Sequence, residues 1–230
     1  MKSTPFISSA RRRILLVDDQ PIMRLGLAGI INQQDDLVVC CEAVDTAQAI
    51  QQLTANVEPA LMIIDISLEG KSGLELIRDI HAVRPQLRIL VFSKQDETIY
   101  AERALRAGAH GYIMKTFGAE AILGAIRKVL GGKLYVSEKM SARIIDLLSE
   151  RGKAQRASPV GALTDREFEV YKLIGEGCST REVAKRLHLS PKTVDVYRQH
   201  IKEKFGLHDS TALIQHAVRW IETQDRAQVL

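Results

Sequence analysis

The chain has 230 residues, of which 46% are hydrophobic and 26% charged, and its formal net charge is +4. This length favours two domains, and the composition excludes a disordered or fibrous protein. No apolar run approaches the roughly 18 residues that a membrane helix requires, and the polar residues 1–12 lack the apolar middle of a secretory signal. We therefore expect a cytoplasmic protein with no membrane contact and a flexible tail at 1–12.

Five apolar runs alternate with five segments of helical periodicity between residues 14 and 132. The runs predict strands at 14–17, 37–41, 60–64, 87–92 and 111–114. The amphipathic segments predict helices at 22–31, 46–53, 72–83, 97–107 and 119–130. Such alternation, with strands that are apolar almost throughout, is typical of a parallel sheet covered by helices on both faces. The first domain, predicted at 13–133, is therefore an α/β doubly wound five-stranded parallel sheet.

The chain contains three cysteines, which are too few for a disulfide framework. Cys40 and Cys41 are adjacent in a predicted strand, where successive side chains point to opposite faces. We therefore expect the cysteines to be small core hydrophobes rather than redox groups.

A linker with a short helix at 138–148 is predicted at 134–161, and only helical patterns follow it. These patterns predict helices at 164–174, 180–187, 191–205 and 210–221. Thr164 with Glu167 predicts a capping box, and Ser190 before Pro191 predicts an N-cap followed by proline at the first helical position. The second domain, predicted at 162–226, is therefore a small all-α domain of four helices.

Polar side chains follow four of the five predicted strands of the first domain. Asp18 and Asp19 follow the first strand, Asp65 the third, Ser93 the fourth and Lys115 the fifth. Ligands of open α/β sheets bind at the carboxyl ends of the strands, so these side chains are expected to converge. Three carboxylates at one crevice call for a cation, and their hard oxygen atoms suit Mg²⁺. Asp65 is then the candidate nucleophile for phosphoryl transfer, and Lys115 would pair with the product phosphate.

Other phosphate chemistry fits these residues less well. A haloacid-dehalogenase-like phosphatase would need a second aspartate two residues after its nucleophile, where this chain has Ser67. A dinucleotide site would need a glycine-rich turn after the first strand, and residues 18–21 contain no glycine. An enzyme acting on small phosphorylated substrates would need a further acid–base group near Asp65, which the sequence does not offer.

Residues 14–132 resemble a response-regulator receiver domain of flavodoxin-like fold, and the whole chain resembles the NarL/FixJ subfamily of two-component response regulators. Residues 65–73 match the spacing of these domains from acceptor to glycine. The resemblance implies Asp65 as the phosphoacceptor for a histidine kinase. It also implies Asp19 as a direct Mg²⁺ ligand, Asp18 as a second acidic contact through water, and the backbone carbonyl of Ser67 as a further ligand.

The resemblance also implies a switch. Ser93 would hydrogen-bond the phosphate, and Tyr112 would be the aromatic residue that turns inward when Ser93 moves. Lys94, after Ser93, is larger than the residue usually found there, and we expect it to slow access to the phosphorylation site.

Residues 179–198 predict two short helices separated by one turn, which is a helix-turn-helix. The segment 179–206 carries seven basic and three acidic residues, so it matches the net charge of the whole chain and suits a surface that faces DNA phosphates. The predicted helix 191–205 has one apolar stripe. Its polar surface carries the predicted contacts to base edges and to the DNA backbone, namely Lys192, Thr193, Asp195, Val196, Arg198, Gln199 and Lys202.

Residues 163–217 resemble the LuxR-type module, through Leu163-Thr164-x-Arg166-Glu167 and Thr193-Val194. The resemblance implies that 191–205 reads double-stranded DNA and that Asp195, which replaces a frequent lysine, alters the preferred operator. The last helix is implied to pair with its copy in an active homodimer, although part of its stripe must close the core. That stripe consists of Leu213, Ile214, Ala217, Val218 and Ile221.

The sequence thus predicts a phosphorylation-activated transcription factor, with RNA polymerase as a candidate further partner, and not a metabolic enzyme. The alternative is a phosphorylation-independent DNA binder whose receiver is an interaction module. Trp220 could serve either packing or an interface.

Overall fold

The computed structural model describes residues 11–55, 58–68, 72–142 and 159–228. The described residues divide into two compact units, one of residues 11–55, 58–68 and 73–142 and the other of residue 72 with 159–228. Residues 1–10 of the tail predicted at 1–12 lie outside the described residues, as does most of the predicted linker. Arg12, assigned to the tail, is instead the first residue of a strand. No helix among the described residues is both long enough and apolar enough to cross a membrane.

The first unit is a parallel sheet of five strands in the order β2-β1-β3-β4-β5. Its strands are β1 (Arg12–Val17), β2 (Leu37–Ala43), β3 (Leu61–Ile64), β4 (Arg88–Ser93) and β5 (Gly111–Met114). Its helices are α1 (Pro21–Asn32), α2 (Thr46–Thr54), α3 (Gly73–Val83), α4 (Glu97–Ala107) and α5 (Ala119–Leu130). The doubly wound fold predicted from the sequence is confirmed. The strand order reverses beside β1 and β3, and a crevice is expected at their carboxyl ends.

The central strands are apolar because both of their faces are covered. All four residues of β3 are buried, as are the last four residues of β1. On one face, strand residues such as Ile63 and Phe92 form a cluster with Ile122, Ile126 and Val129 of α5. Each fully buried side chain of this size stabilises the fold by roughly 1.5–3 kcal/mol.

A bulge in β2 corrects the expectation for its two cysteines. Val39 pairs with Ile14 and Cys41 with Leu15, so Cys40 is an extra residue between two consecutive residues of β1. A bulge breaks the strict alternation of side chains, and the two Sγ atoms lie 3.4 Å apart instead of on opposite faces. Burial is the main reason that the pKa of Cys41 rises to about 12, which keeps its thiol protonated and unreactive.

The first unit continues past its predicted boundary at 133. The backbone N–H of Tyr112 donates to Tyr135, and that of Tyr135 donates to His110, so the chain after α5 pairs with the free edge of β5. A helix α6 then begins, of which residues 138–142 are described. Ser137 caps this helix through the backbone N–H of Met140, and its hydroxyl donates to Glu97 in the first turn of α4.

The second unit is all-α. It contains a 3₁₀ turn (Pro159–Ala162) and the helices α7 (Asp165–Gly175), α8 (Thr180–Arg186), α9 (Pro191–Phe205) and α10 (Ser210–Gln228). The capping box of Thr164 with Glu167 and the N-cap at Ser190 are confirmed, and Ser179 with Glu182 forms a second capping box. α10 runs beyond the predicted end at 221 because most of the residues that follow the apolar stripe, such as Glu222, Arg226 and Ala227, are good helix formers.

Candidate functional site

Three carboxylates meet at the carboxyl edge of the sheet in the first unit. Asp18 and Asp19 follow β1, and Asp65 follows the adjacent strand β3. One oxygen from each residue lies within 4.8 Å of the others. Asp18 is only 7% exposed and Asp65 only 2%. Negative charges this close and this buried require a compensating positive charge.

Lys115, after β5, supplies positive charge to two of these carboxylates. Its Nζ lies 2.6 Å from Asp18 Oδ2 and 2.6 Å from Asp65 Oδ2, with its side chain 2% exposed. Burial by itself would lower the pKa of Lys115, but the two hydrogen-bonded carboxylates raise it above its ordinary value. The lysine therefore stays protonated and orients its charge toward Asp65.

Ser93 and Tyr112 both lie in the interior of the first unit. The Ser93 hydroxyl donates to Asp65 Oδ1 at 2.7 Å. Tyr112 is fully buried, and its hydroxyl donates to the backbone carbonyl of Gln95 at 2.8 Å. The inward position that the sequence assigned to Tyr112 after phosphorylation is thus already adopted in this structure.

Backbone donors hold the acidic loops in shape. The N–H of Gln20 donates to Asp18 Oδ1 and the N–H of Ser67 to Asp65 Oδ1. Arg24, which sequence reasoning missed, donates to the backbone carbonyl of Asp18 at 2.6 Å and contacts Glu42. Its position in the first turn of α1, shortly after the acidic pair, is the sequence feature that could have indicated this role.

The donor set fits a hard divalent cation. Asp18, Asp19 and Asp65 offer carboxylate oxygens in one cluster. In phosphoryl-transfer sites Mg²⁺ is bound by oxygen ligands, of which only a few are protein carboxylates. The site therefore combines a buried carboxylate, a lysine, a hydroxyl and a cluster of carboxylate oxygens that can hold a divalent cation.

The second unit presents α9 as an exposed basic surface. Val194 and Ile201 are fully buried, whereas Lys192, Asp195 and Gln199 are exposed, and Val196 is 47% exposed. The apolar stripe predicted for this helix therefore packs inward. The predicted base contacts lie on the side that is open to solvent.

Two other predicted DNA contacts on α9 are less exposed to solvent. Lys202 and Arg198 are half-buried, and Arg198 lies 3.4 Å from the hydroxyl of Thr180 at the start of α8. The turn between α8 and α9 contains His188 with φ 52, a conformation that costs a non-glycine residue about 1–3 kcal/mol.

The apolar stripe of α10 serves mainly the core of the second unit. Leu213 and Ala217 are 0% exposed, so the prediction that they contact a partner copy needs correction. A Cβ on Gly175 of α7 would lie 2.7 Å from the Ala217 carbonyl, which shows how closely the two helices pack. Ile214, at 42% exposed, and the half-buried Val218 remain accessible.

Trp220 belongs to the packing of the second unit. Its ring centroid lies 5.6 Å from that of Phe168 and 5.6 Å from that of Tyr171. Ile221 is half-buried beside Gly175. Trp220, for which the sequence left packing and an interface open, therefore packs against α7.

Comparisons with known proteins agree with both units. Residues 14–127 match the response regulator receiver domain family, and residues 161–217 match the luxR family of bacterial regulatory proteins. The oxygen regulatory protein NreC of Staphylococcus aureus is 33% identical over 211 residues, which cover 90% of this chain and 97% of that protein.

Two solved structures are similar to this chain. A LuxR-family two-component response regulator from Aurantimonas sp. SI85-9A1 is 31% identical with a TM-score of 0.56, covering 61% of this chain and all of that one. The RcsB response regulator of Salmonella typhimurium, solved in a study of its DNA interaction, is 25% identical with a TM-score of 0.55, covering 90% and 97%. The chain thus belongs to the NarL/FixJ subfamily of two-component response regulators, which are not metabolic enzymes, and it joins a receiver domain to a LuxR-type DNA-binding domain.

Proposed function

We propose that phosphorylation of Asp65 switches this response regulator and that the phosphorylated form binds double-stranded DNA as a homodimer to control transcription. The observation that carries the proposal is the convergence on one buried carboxylate of a lysine ammonium at 2.6 Å and a hydroxyl at 2.7 Å. A DNA target implies action in the cytoplasm.

A histidine kinase is the proposed donor of the phosphoryl group. A carboxylate oxygen of Asp65 forms a bond to phosphorus while the bond between phosphorus and the donor's imidazole nitrogen breaks, and the imidazole keeps that electron pair. Lys115 offers its charge to the product phosphoryl group, and the Ser93 hydroxyl offers a hydrogen bond.

Asp18, Asp19 and Asp65, with the backbone carbonyl of Ser67, are the residues proposed to hold Mg²⁺. The cation, when bound, neutralises charge on the phosphoryl oxygens. Because Lys115 already contacts Asp18 and Asp65, the lysine and the cation would share these carboxylates.

Ser93 and Tyr112 are proposed to carry the signal from Asp65. Since both already point inward, phosphorylation would stabilise this arrangement rather than create it, which is a shift of population. The proposed output has three parts. They are pairing of two copies through the accessible Ile214 and Val218 of α10, binding of α9 in the major groove, and an encounter with RNA polymerase.

Acetyl phosphate with MgCl₂ tests the acceptor. Intact-mass measurement should show one phosphoryl group on the wild type and none on Asp65→Ala. Asp35→Ala, an exposed aspartate before β2, is the control and should react like the wild type. A phosphoryl adduct on Asp65→Ala would show that another residue is the acceptor.

Operator binding tests the output. Phosphorylation should raise the dimer fraction in sedimentation and tighten binding to a selected DNA site, because a few kcal/mol of differential contacts shifts the population. Equal affinity of the two forms would favour the phosphorylation-independent DNA binder instead.

A further inference from the structure

A side-chain hydrogen bond joins two loops above the acceptor. Lys94 Nζ donates to Gln20 Oε1 at 2.9 Å. Gln20 lies in the loop after β1 and Lys94 in the loop after β4, and these strands flank β3 in the sheet. The bond therefore spans the carboxyl end of β3, where Asp65 lies.

A second hydrogen bond ties the same loop down. Gln95 Nε2 donates to the hydroxyl of Ser67 at 3.2 Å, which joins the loop after β4 to the loop after β3. Asp65, at the end of β3 between these loops, is 2% exposed. Separation of the loops would widen the approach of a phosphodonor or a water molecule to its carboxylate.

Gln20 is placed to reach across the site. It holds the N-cap position of α1, but its side chain makes no capping hydrogen bond. Its backbone N–H donates to Asp18 Oδ1 at 2.8 Å, which fixes the residue next to the acidic cluster. The acidic cluster thus fixes the backbone of Gln20, and from this position the side-chain amide oxygen of Gln20 reaches Lys94.

We propose that the Lys94–Gln20 pair is a removable cover over Asp65 that slows both gain and hydrolytic loss of the phosphoryl group. The inference rests on the proposed role of Asp65 as acceptor. The cover is linked to the switch residues, because the N–H of Gln95 donates to the Ser93 hydroxyl and the Gln95 carbonyl accepts from Tyr112. Movement of Ser93 or Tyr112 therefore displaces the loop that carries Lys94.

A cover and a simple charge effect predict opposite results. If Lys94 only attracts anionic donors, Lys94→Ala slows phosphorylation and Gln20→Ala has no effect. If the pair is a cover, either substitution breaks the same hydrogen bond and accelerates both reactions. Because the cover consists of one hydrogen bond, we expect each of the two rates to rise by roughly 2-fold to 10-fold.

The experiment measures the rates of phosphoryl gain from acetyl phosphate and of loss after donor removal, by intact mass in MgCl₂. We expect both rates to rise in Lys94→Ala and Gln20→Ala, with no further rise in the double variant, since the pair acts as a unit. Lys133→Ala, an exposed lysine after α5 at the other end of the sheet, is the control. Unchanged rates, or a slower gain in Lys94→Ala alone, would overturn the cover.

A second readout does not depend on phosphorylation. The backbone N–H of Ser67 donates to Asp65 Oδ1 at 2.9 Å, so its hydrogen exchange reports opening of the loop. Exchange should be faster in Lys94→Ala and Gln20→Ala than in Lys133→Ala. If the wild-type protein gains no phosphoryl group, the proposed function is wrong. Hydrogen exchange at Ser67 would still decide whether the cover exists.

Discussion

At the scale of single residues, Lys115 is the side chain on which the acidic cluster depends. It contacts two buried carboxylates at 2.6 Å each and is itself 2% exposed. A buried ion pair contributes little net stability compared with an apolar pair, but removal of one partner leaves an uncompensated charge. The lysine therefore has a structural task as well as its proposed task at the phosphoryl group.

Lys115→Met should destabilise the first unit by roughly 3–5 kcal/mol in EDTA, the usual effect of breaking a buried pair. MgCl₂ should then stabilise the variant more than the wild type, because the cation no longer shares Asp18 and Asp65 with the lysine. Calorimetric unfolding with and without MgCl₂ measures both effects, and Lys133→Met is the matched control. An equal MgCl₂ effect in variant and wild type would show that lysine and cation do not compete.

At the scale of elements, α4 ends at a glycine whose backbone conformation residues with a side chain rarely adopt. Gly108 has φ 111, and a Cβ there would lie 2.4 Å from the ring of His81. Gly124, in the middle of α5, is exposed and would meet nothing within 4 Å. The two glycines therefore have opposite structural roles.

Gly108→Ala should lower the free energy of unfolding by roughly 2–4 kcal/mol, through backbone strain and overpacking. Gly124→Ala should raise it by roughly 0.5–1 kcal/mol, because alanine is the better helix former. Urea titrations followed by circular dichroism compare the two variants. Destabilisation of equal size in both would contradict this account of α4.

The N-terminus of α7 is fastened to α9 by a charged side chain. Glu167 completes the capping box with Thr164, and one of its oxygens lies 2.6 Å from Lys204 Nζ. Burial by itself would raise the pKa of Glu167, but the hydrogen bonds from Lys204 and Thr164 hold it below its ordinary value. A lowered folded-state pKa stabilises the fold above the unfolded pKa, and this stabilisation is lost as pH falls through the folded value.

Glu167→Gln should therefore be less stable than the wild type at pH 7, and the difference should shrink as the pH falls from about 5 toward 3. Glutamine keeps a capping acceptor, so the change isolates the charge. Fluorescence of Trp220, the single tryptophan, reports unfolding of this unit. Glu182→Gln, in the exposed capping box of α8, should show a smaller pH effect because water screens its charge. A pH-independent difference for Glu167→Gln would mean that Lys204 does not interact with the charge.

At the scale of the whole molecule, positive charge is concentrated where DNA is expected to bind. The segment 179–206 matches the net charge of the full chain, so the other residues are neutral in sum. Phosphate contacts in this segment govern affinity, and side chains such as Asp195 govern which base is preferred.

Lys202→Ala should weaken binding to every DNA sequence and make the salt dependence shallower by about one unit, as expected for one lost phosphate contact. Asp195→Lys should raise nonspecific affinity and change the preferred site. Binding titrations at several salt concentrations and a binding-site selection measure these effects. An unchanged preferred sequence for Asp195→Lys would show that this side chain does not face the groove.

Most of the fold and the strand-end cluster could be predicted, because apolar periodicity and position after a strand are local properties of the sequence. The bulge at Cys40 was missed, since it depends on pairing between β1 and β2. The sequence placed the end of β2 at 41 rather than at Ala43, because the charged Glu42 interrupts the apolar run. The carboxylate of Glu42 pairs with Arg24. The contact of Gln20 with Lys94 joins residues that are far apart in the chain and leaves no periodic signal.

The strand-like pairing of Tyr135 with β5 has a consequence for protein engineering. A chimaera that joins this receiver to a foreign DNA-binding domain at residue 133 would lose that pairing and the contact between Ser137 and Glu97. The edge of β5 would then offer unpaired backbone groups to other chains, and self-association should follow. A junction after 142 keeps the edge covered, so the exchangeable module ends one helical turn inside α6 rather than just after Gly132.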